Sequence, residues 1–263
     1  MIIKKKWRIL TVGDGDLSFS YSLFKYHRPA HLTATVYDSQ STMTNKYRDN
    51  ALRSLQQKDV NILFNFDVTN PNSWSTLQKN KFDVVIFQFP LLPAFQSFQE
   101  YKNKAEKISV NTLNRQLLRH FLDNAFQYFL DPNGQQLCFI TSKDVKPYRE
   151  WNIENALHKQ SNFYYLGSSL FDIQNFPEYK VRNVDRDKHV RDTKGRTYAW
   201  TLQKNHALKK ELEAPIYQEE NCCSMCRAGP FTTEFDRNEH NASKKHQQMV
   251  QFEALWQALI NRF

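Results

Sequence analysis

The chain has 263 residues, and 40% of them are hydrophobic, which suffices for one large globular domain or for one domain with a small appendage. The longest apolar stretches, such as VVIF at 84–87, are too short to cross a bilayer, and the basic and apolar N-terminus lacks the small-residue cleavage site of a signal peptide. We therefore expect an intracellular protein without membrane contact, whose four cysteines serve the core or a metal site and form no disulfides.

The formal net charge of +9 is typical of proteins with a polyanionic partner. The excess lies within residues 1–202, because residues 203–263 carry eight basic and eight acidic side chains. Within the basic part, residues 180–196 hold seven Lys or Arg against three Asp. This stretch is either a nucleic-acid contact or a solvated loop.

Strand and helix patterns alternate along residues 1–202. Short β-prone runs predict seven strands, at 8–12, 33–37, 61–65, 84–89, 136–141, 164–168 and 197–202. Apolar residues at helical spacing predict helices at 42–58, 110–130 and 151–159. The alternation indicates an α/β fold of βαβ units with a mostly parallel sheet, and it is compatible with a final antiparallel strand pair. Residues 203–219 are polar and charged, so we interpret them as a linker or a surface helix that leads to a separate unit at 220–263.

The predicted first strand ends in the stretch TVGDGDLSFS, which holds two of the six glycines, Gly13 and Gly15. Glycine permits a positive φ and a close approach of the backbone to a ligand, and parallel sheets bind ligands beyond the carboxyl ends of their strands. Ser18 stands where the dinucleotide fingerprint G-x-G-x-x-G requires its third glycine, and the carboxylates of Asp14 and Asp16 would repel a pyrophosphate. Those carboxylates suit a cationic ligand with an amino group and a sulfonium, which describes S-adenosylmethionine.

Two further carboxylates follow the next two predicted strands. Asp38 ends the second strand, where a carboxylate can bind both hydroxyls of a ribose. Asp67 follows the third strand, where a side-chain oxygen can accept a hydrogen bond from the adenine amino group. Either residue alone is equally well explained as a turn or helix-cap residue. Acidic positions after three successive strands together predict a site for S-adenosylmethionine.

Four segments resemble the class I methyltransferases of the fungal ribosomal-RNA uridine-N3 methyltransferase family, namely ILTVGDGDLSFSYSL, FDVVIFQFP, NRQLLRHFLDNAFQYFLDPNG and TSKDVKPYREWNIENAL. The resemblance covers residues 7–202 and implies a Rossmann-like sheet of seven strands, S-adenosylmethionine as methyl donor and an RNA uridine as acceptor. It also implies a set of cofactor-binding residues, namely Gly13, Asp14, Gly15, Asp16, Ser18, Phe19, Asp38 and Asp67. In a eukaryotic cell it implies a location in the nucleolus or nucleus, and otherwise we expect the cytoplasm.

The chain departs from this family after the fourth predicted strand, where the family usually reads Asn-Phe-Pro-His and this chain reads Gln88-Phe89-Pro90-Leu91. In enzymes that methylate amino or imino nitrogens this corner holds the target base, so the resemblance implies catalytic roles for Gln88, Phe89 and Pro90. The exchange of histidine for Leu91 removes a proton acceptor or phosphate contact, which leaves uridine N3 open as the target, although a planar nitrogen stays favoured. Phe89 and Pro90 are otherwise a pair that ends a strand. Four residues after the predicted fifth strand line either the acceptor side of the site or a surface loop, namely Lys143, Asp144, Lys146 and Tyr148.

The C-terminal segment NCCSMCRAGPFTTEFDRNEHNASKKHQQMV carries Cys and His residues at metal-ligand spacing. Cys223 and Cys226 form a C-x2-C pair, and His240 and His246 follow on a helical stretch with five residues between them. Two thiolates and two imidazoles at this spacing predict a tetrahedral Zn2+ site. Residues 220–263 are therefore expected to form a small C2H2 zinc finger with a terminal helix, which needs the metal to fold.

Two details of the finger and its partner remain open in the sequence. Phe231 and Phe235 are expected in its apolar core, and Cys222 offers an alternative register to Cys223. The wide histidine spacing and the segment ASKKH resemble matrin- and spliceosomal-type fingers, which implies contact with double-stranded RNA, whereas a protein partner is the alternative.

Together, these patterns predict a methyltransferase that depends on S-adenosylmethionine and acts on ribosomal or other structured RNA, with the finger docking the substrate. A non-catalytic RNA-binding or scaffold protein is the alternative, because the corner at 88–91 departs from the family. A methyltransferase for small molecules is disfavoured by the finger and by the basic stretch.

Overall fold

The computed structural model describes residues 1–74, 77–92, 108–183, 186–189, 194–215 and 217–261, with the backbone alone described at 183 and 186–189. The described residues form nine strands: β1 (Arg8–Val12), β2 (His31–Thr35), β3 (Asn61–Leu63), β4 (Val84–Gln88), β5 (Leu137–Lys143), β6 (Tyr164–Phe171), β7 (Arg182–Asn183), β8 (Arg186–His189) and β9 (Gly195–Thr201). They also form seven α-helices: α1 (Ser18–Ser22), α2 (Gln40–Lys46), α3 (Leu52–Gln56), α4 (Val110–Asn124), α5 (Ile153–Ala156), α6 (Glu234–Ala242) and α7 (Lys244–Ile260).

Seven of the strands form one sheet in the order β3-β2-β1-β4-β5-β9-β6. The strands from β1 to β5 run parallel, and β9 pairs antiparallel with both β5 and β6. The strand order reverses between β1 and β4, so the carboxyl ends of these two strands form the switch point at which such sheets bind ligands. The predicted Rossmann-like α/β sheet of seven strands, completed by an antiparallel pair, is confirmed.

Both faces of the sheet are covered, which explains why apolar residues predominate in its central strands. All five residues of β4 are buried. On one face Phe87 of β4 packs against Phe121 of α4, with ring centroids 5.2 Å apart. On the other face Trp7 packs edge-on against Phe139 of β5. Cys138 is fully buried in the first of these layers, which agrees with its expected role as a small core residue.

The helices are shorter than hydrophobic periodicity predicts. The predicted helix at 42–58 is divided into α2 and α3, because the chain turns between them and the N–H of Ala51 donates to the carbonyl of Asp16. The predicted helix at 110–130 is α4 followed by a π-helical turn at Ala125–Phe129. Periodicity detects a buried face, but it does not detect a tertiary hydrogen bond that interrupts a helix.

A two-stranded hairpin of β7 and β8, which the sequence did not predict, lies between β6 and β9 along the chain. It belongs to the basic stretch at 180–196. The predicted nucleic-acid contact of this stretch falls largely on residues or side chains outside the described part of the chain. Four of its cations have described side chains, namely Lys180, Arg182, Lys194 and Arg196. Lys180 and Arg182 form ion pairs with Asp49, and Arg196 forms one with Glu213.

The segment after β9 packs against the edge of the sheet. Ser168 of β6 and Glu213 exchange two backbone hydrogen bonds, of 3.0 and 2.8 Å, and Leu208 is buried. The unit that follows contains a β-bridge between Cys223 and Ala228, and then α6 and α7. The boundaries at 202 and 219 stay predictions.

One prediction for the small C-terminal unit is wrong: the side chain of Phe235 is 71% exposed and takes no part in a core. Phe231 does lie inside, against His240, with ring centroids 4.9 Å apart. The last helix leaves this unit, because Trp256 and Ile260 of α7 are buried in the same hydrophobic cluster as Phe121 of α4. None of the helices in the described ranges is long and apolar enough to cross a membrane.

Candidate active site and metal centre

A cleft of about 720 Å³ opens at the switch point, beside the carboxyl ends of β1, β2 and β4. Nine sequence-predicted residues line it, namely Gly13, Asp14, Gly15, Asp16, Asp38, Asp67, Gln88, Phe89 and Pro90. The predicted cofactor residues Ser18 and Phe19 do not line it. Further lining comes from one face of α4 and from residues 179–182, which belong to a segment (176–182) that we call the strap.

The turn after β1 needs glycine at its first position. Gly13 has a φ of +64°, and a Cβ added to it would lie 2.8 Å from a ring carbon of Phe87, so any other residue is both strained and crowded. The N–H of Asp14 donates to the carbonyl of Thr35 at 3.0 Å, which ties the turn to β2. The backbone of the turn thereby becomes part of the cleft floor, where it can approach a ligand closely.

Asp14 is buried at the start of α1. Its Oδ2 accepts a 2.7 Å hydrogen bond from the N–H of Ser20, which satisfies one of the unpaired donors in the first helical turn. Burial, and secondarily the charge of Asp16, raise the pKa of Asp14 to about 7. The carboxyl group of Asp14 therefore gains or loses its charge near neutral pH, unlike an ordinary aspartate.

Asp16 is also buried, but its charge is compensated. Its Oδ1 accepts a 3.0 Å hydrogen bond from the N–H of Ser18, and its Oδ2 lies 2.6 Å from Nε of Arg182. Asp14 has no such cationic partner among the described residues. The two carboxylates that the sequence places in one turn are thus different in kind: one is paired with an arginine of the strap, and the other depends on pH or on a ligand for its charge.

Ser18 and Phe19 hold the strap in place. The Ser18 hydroxyl accepts a 3.0 Å hydrogen bond from the N–H of Lys180. The ring of Phe19 packs against Phe176 and Tyr179, with centroid distances of 5.3 and 5.2 Å. These two residues therefore lie behind the cleft wall, and they position the strap residues that form it.

Asp38 and Asp67 lie on the two neighbouring turns, after β2 and β3. The Asp38 carboxylate is 3.5 Å from Nζ of Lys46, and both side chains are about a quarter exposed, at 24%. Oδ1 of Asp67 accepts hydrogen bonds from the N–H and the hydroxyl of Thr69, at 2.8 and 2.7 Å. Asp67 therefore does organise a turn, as the alternative interpretation proposed, and it faces the cleft at the same time.

The corner at the end of β4 carries a polar side chain without a partner. Gln88 is buried, with only 8% of its surface exposed. Neither its Oε1 nor its Nε2 has a hydrogen-bond partner in the described structure. Phe89 has a φ of +46°, a conformation that is uncommon outside glycine and costs about 1 kcal/mol or more. Its N–H donates to the carbonyl of Thr141, and its ring stands edge-on to Phe171 at 5.5 Å. Pro90 is buried and ends the strand.

One face of α4 contributes residues that the sequence reasoning missed as part of the site, namely Leu113, Gln116, Leu117 and His120. Apolar periodicity predicts the helix, but it gives no signal that polar Gln116 and His120 share a cleft-facing side with Leu113 and Leu117. Burial lowers the pKa of His120, so its imidazole is mostly neutral at physiological pH. Leu91, which stands where the resembled family has histidine, also lines the cleft.

The four Cys and His residues of the C-terminal unit converge at a second candidate site. The ligand atoms of Cys223, Cys226, His240 and His246 all lie within 4.8 Å of one another. Nδ1 of His246 is 3.1 Å from Nε2 of His240, and 3.8 and 3.6 Å from the sulfurs of Cys223 and Cys226. Cys222, the alternative ligand, is directed to the side chain of Asn221 instead.

These separations fit one tetrahedral ion. Bond lengths of about 2.3 Å for Zn–S and about 2.0 Å for Zn–N at tetrahedral angles place neighbouring ligand atoms roughly 3.3 to 3.8 Å apart. A single imidazole nitrogen that faces two sulfurs and a second imidazole cannot satisfy all three contacts by hydrogen bonds. The donor set and its spacing therefore suit Zn2+.

Comparison with solved structures finds distant likenesses. The tRNA m1A22 methyltransferase TrmK of B. subtilis superposes with a TM-score of 0.46 and 8% identity, over 98% of this chain and 94% of that one. TrmK of M. capricolum, solved with S-adenosylhomocysteine, gives a TM-score of 0.44 and 12% identity, over 99% and 93% of the two chains. Likenesses at this distance do not bear on the substrate of this chain.

Comparison by sequence is more specific. The heavy metal-associated isoprenylated plant protein 41 of Arabidopsis thaliana is 27% identical over 181 residues, which are 68% of this chain and 33% of the plant protein. The chain thus spans about a third of the length of this curated relative. A family model described as "rRNA (uridine-N3-)-methyltransferase BTM5-like" matches residues 10–183, which include the glycine turn, both aspartate turns, the Gln88 corner and the strap. Because this match covers well over half of the sequence, the chain belongs to the BMT5-like family that this model describes.

Proposed function

We propose that this chain transfers the methyl group of S-adenosylmethionine to a ring nitrogen of an RNA base, with uridine N3 as the favoured atom. The observation that carries the proposal is the buried Gln88 amide, which lines the cleft without a hydrogen-bond partner in the described structure. An amide in this state is expected where a polar ligand supplies the missing partners. Family membership and the net charge of +9 support RNA as the ligand.

The residues at one end of the cleft fit the cofactor. Asp38 and Asp67 would hold the ribose hydroxyls and the adenine amino group, and the bare backbone at Gly13 leaves room for close approach. Asp14 would face the positive end of the ligand, because it is the carboxylate of the turn that no described cation neutralises. When bound, S-adenosylmethionine supplies a methyl group already activated on a sulfonium, so the chain has mainly to align the acceptor.

The residues at the other end fit a planar base. Nε2 of Gln88 can donate to a carbonyl oxygen beside the acceptor nitrogen, where negative charge develops as that nitrogen releases its proton to water. The Phe89 ring is held by Phe171 at the rim of the same space. A paired base hides its N3 edge, so the target must be single-stranded or flipped out, at a cost of about a few kcal/mol.

We also propose that Cys223, Cys226, His240 and His246 hold Zn2+ in a structural finger that aids the docking of RNA. The fit of the ligand separations to tetrahedral geometry supports the metal. Four protein ligands leave no open position, so the ion would stabilise the finger and supply no chemistry to the cleft.

Leu91 favours a second candidate, a non-catalytic RNA-binding or scaffold protein. It places an apolar side chain in the cleft at the position where the resembled family has a histidine. Such a protein would bind the cofactor and RNA without transferring the methyl group.

One experiment separates these candidates. The purified 263-residue chain is incubated with labelled S-adenosylmethionine and total cellular RNA, and the RNA is digested and analysed by nucleoside mass spectrometry. We expect a methylated uridine in the RNA fraction, and its loss in the Gln88→Ala and Asp38→Ala variants. The cofactor affinity, measured by calorimetry, should fall for Asp38→Ala and remain for Gln88→Ala. Cofactor binding without any methylated nucleoside would support the scaffold candidate.

A further inference from the structure

A second cavity, of about 190 Å³, lies between the C-terminal unit and the segment that follows β5. We call it the junction crevice. Five cationic side chains line it, namely Lys146, Arg149, Arg196, Arg227 and Lys245. They come from three places: the segment after β5, strand β9, and the two sides of the metal cluster. The crevice therefore collects positive charge from parts of the chain that are distant in sequence.

The acidic residues of the crevice do not balance this charge. Asp144 forms ion pairs with two guanidinium groups, because its Oδ1 lies 2.9 Å from Arg149 and 2.9 Å from Arg227. Glu150 is 3.9 Å from Lys146, the limit of an ion pair. Lys245 has no ion pair within the described ranges. Two lining carboxylates, together with Glu213, which forms an ion pair with Arg196, face five cations, so the crevice keeps an excess of positive charge.

Arg196 adds charge inside the wall. It is 6% exposed, and one of its terminal nitrogens donates to Ser168 and to Glu213, at 2.8 Å each. Its Nε–H has no partner among the described residues. The ion pair with Glu213 offsets the charge of this guanidinium, but its enclosed Nε–H remains an unused donor in the crevice wall.

Helix α7 strengthens this field. Its 17 residues start at Lys244, and Ser243 caps it by accepting a hydrogen bond from the N–H of His246. The first turn, which includes Lys245, therefore brings the positive end of a helix dipole to the crevice. The helix end and the Nε–H of Arg196, which has no partner among the described residues, are independent features, and both favour an anion.

The crevice lies on the acceptor side of the cleft. Gln88 of β4 is paired in register with Thr141 of β5, and Asp144 follows three residues later. Three residues of extended chain span about 10 Å. A short stretch of RNA whose target base reaches Gln88 can therefore place a neighbouring phosphate in the crevice.

We propose that the junction crevice binds a backbone phosphate of the RNA substrate, near the nucleotide whose base enters the cleft. This inference rests on the proposed function, because it takes RNA as the substrate. It assigns to Lys146, Lys245 and the arginines around them the task of positioning the strand through charge-assisted hydrogen bonds to phosphate oxygens. It also gives the small C-terminal unit a direct share in the substrate path, because that unit supplies one wall.

The test uses two neighbouring lysines as a matched pair. Lys245 lines the crevice and Lys244 does not, yet both belong to the first turn of α7. Binding of a short, fluorescently labelled single-stranded RNA of mixed sequence is measured for Lys245→Glu and Lys244→Glu at several salt concentrations. We expect Lys245→Glu to weaken binding about tenfold and to lower the slope of log K against log salt by about 0.7 for each phosphate that is no longer neutralised. Lys244→Glu should change the affinity less than about twofold.

A second pair of lysine variants tests the opposite wall of the crevice. Lys146→Glu should repeat the effect of Lys245→Glu, whereas Lys58→Glu, in the turn before β3, should not. Metal content and thermal unfolding of each variant show whether the fold is kept. Equal effects in both members of each pair, or no RNA binding by the wild-type protein, would overturn the crevice assignment.

The outcomes separate this inference from the proposed function. If the wild-type protein methylates RNA and the paired variants behave alike, only the phosphate site is wrong. If the crevice variants lose RNA binding while the wild-type protein transfers no methyl group, the crevice stands as an RNA site and the enzymatic proposal fails.

Discussion

Two side chains in the cleft are buried in a state that folding alone does not favour: the carboxyl group of Asp14 and the amide of Gln88. An unsatisfied buried polar group costs about 1–3 kcal/mol of stability. Asp14 reduces its cost by a raised pKa, whereas an amide cannot change its protonation and Gln88 is left without a partner in the described structure. Both residues line the same cleft, so a bound ligand can supply a cationic partner to Asp14 and hydrogen-bond partners to Gln88.

If S-adenosylmethionine binds beside Asp14, we expect its affinity to depend on pH. With a pKa of about 7, its carboxyl group is mostly charged at pH 8 and mostly neutral at pH 6. A ligand that carries a positive sulfur prefers the charged form, so we expect the affinity for S-adenosylmethionine to fall by up to about tenfold from pH 8 to pH 6. S-Adenosylhomocysteine, which lacks that charge, should lose much less. Calorimetric titrations of the two ligands at both pH values check this.

The same shift predicts the sign of a stability change. The folded-state pKa of Asp14 lies above the unfolded value of about 3.9, so the folded protein holds a proton that the unfolded chain releases between about pH 4 and pH 7. The contribution of Asp14 to stability therefore falls as the pH rises through this window. Asp14→Asn keeps an acceptor for the N–H of Ser20 and should raise the melting temperature at pH 8 more than at pH 5. An equal change at both pH values would contradict the raised pKa.

Gln88 predicts opposite changes in stability and activity. Gln88→Leu replaces the unpartnered amide with an apolar side chain of similar size, so the free energy of unfolding should rise by about 1 kcal/mol. Methyl transfer to RNA should fall by at least about a hundredfold, because a donor beside the acceptor nitrogen is removed. Urea unfolding and nucleoside mass spectrometry measure the two effects. Gln57→Leu, at an exposed position after α3, should change neither, and a destabilised Gln88→Leu would show that the amide has a structural partner.

At the scale of elements, the sequence predicts what depends on local pattern. The five parallel strands, the acidic turns after β1, β2 and β3, and the Gln88 corner could all be found, because strand ends and turn residues are local signals. The strap could not be found, since it depends on contacts between Ser18 or Phe19 and residues that lie about 160 positions later in the chain. The basic stretch gave a signal for Arg182, but charge alone does not distinguish an RNA contact from a buried ion pair.

We expect two ion pairs of the strap to contribute differently to the free energy of unfolding. In the pair of Arg182 with Asp16 the side chains are only 7% and 2% exposed, whereas in the pair of Lys25 with Glu178 both are 44% exposed. Arg182→Gln leaves a buried carboxylate without its counterion and should lower the free energy of unfolding by about 3 kcal/mol. Lys25→Gln should change the melting temperature little, because water screens its pair.

A double variant is the control for this comparison. Asp16→Asn combined with Arg182→Gln removes both charges, so it should be more stable than Arg182→Gln alone. Urea unfolding measures all three variants. An equal decrease in the free energy of unfolding for Arg182→Gln and Lys25→Gln would show that the buried ion pair stabilises the strap no more than the exposed pair does.

At the scale of the whole molecule, the C-terminal unit is joined to the sheet domain by more than a linker. The indole of Trp256 is fully buried and donates to the carbonyl of Ala156 at 2.9 Å. The carboxylate of Glu253 lies 2.8 Å from Arg115, a fully buried side chain of α4, and 2.9 Å from Lys159. The sequence predicts a helix here but not its docking, because an apolar side chain at a helix position does not reveal which surface covers it.

This docking gives a prediction for metal removal. If the finger were a tethered module, chelation of the metal would unfold it alone and leave the melting of the sheet domain unchanged. Since α7 starts beside the metal ligands and ends in the core of the sheet domain, we expect chelation to lower the melting temperature of the whole chain in one cooperative transition. Cys223→Ser should act like chelation, while Cys222→Ser, at the neighbouring thiol outside the cluster, should not. Calorimetry with and without chelator measures this, and two separate transitions would show that the finger and the sheet domain are energetically independent.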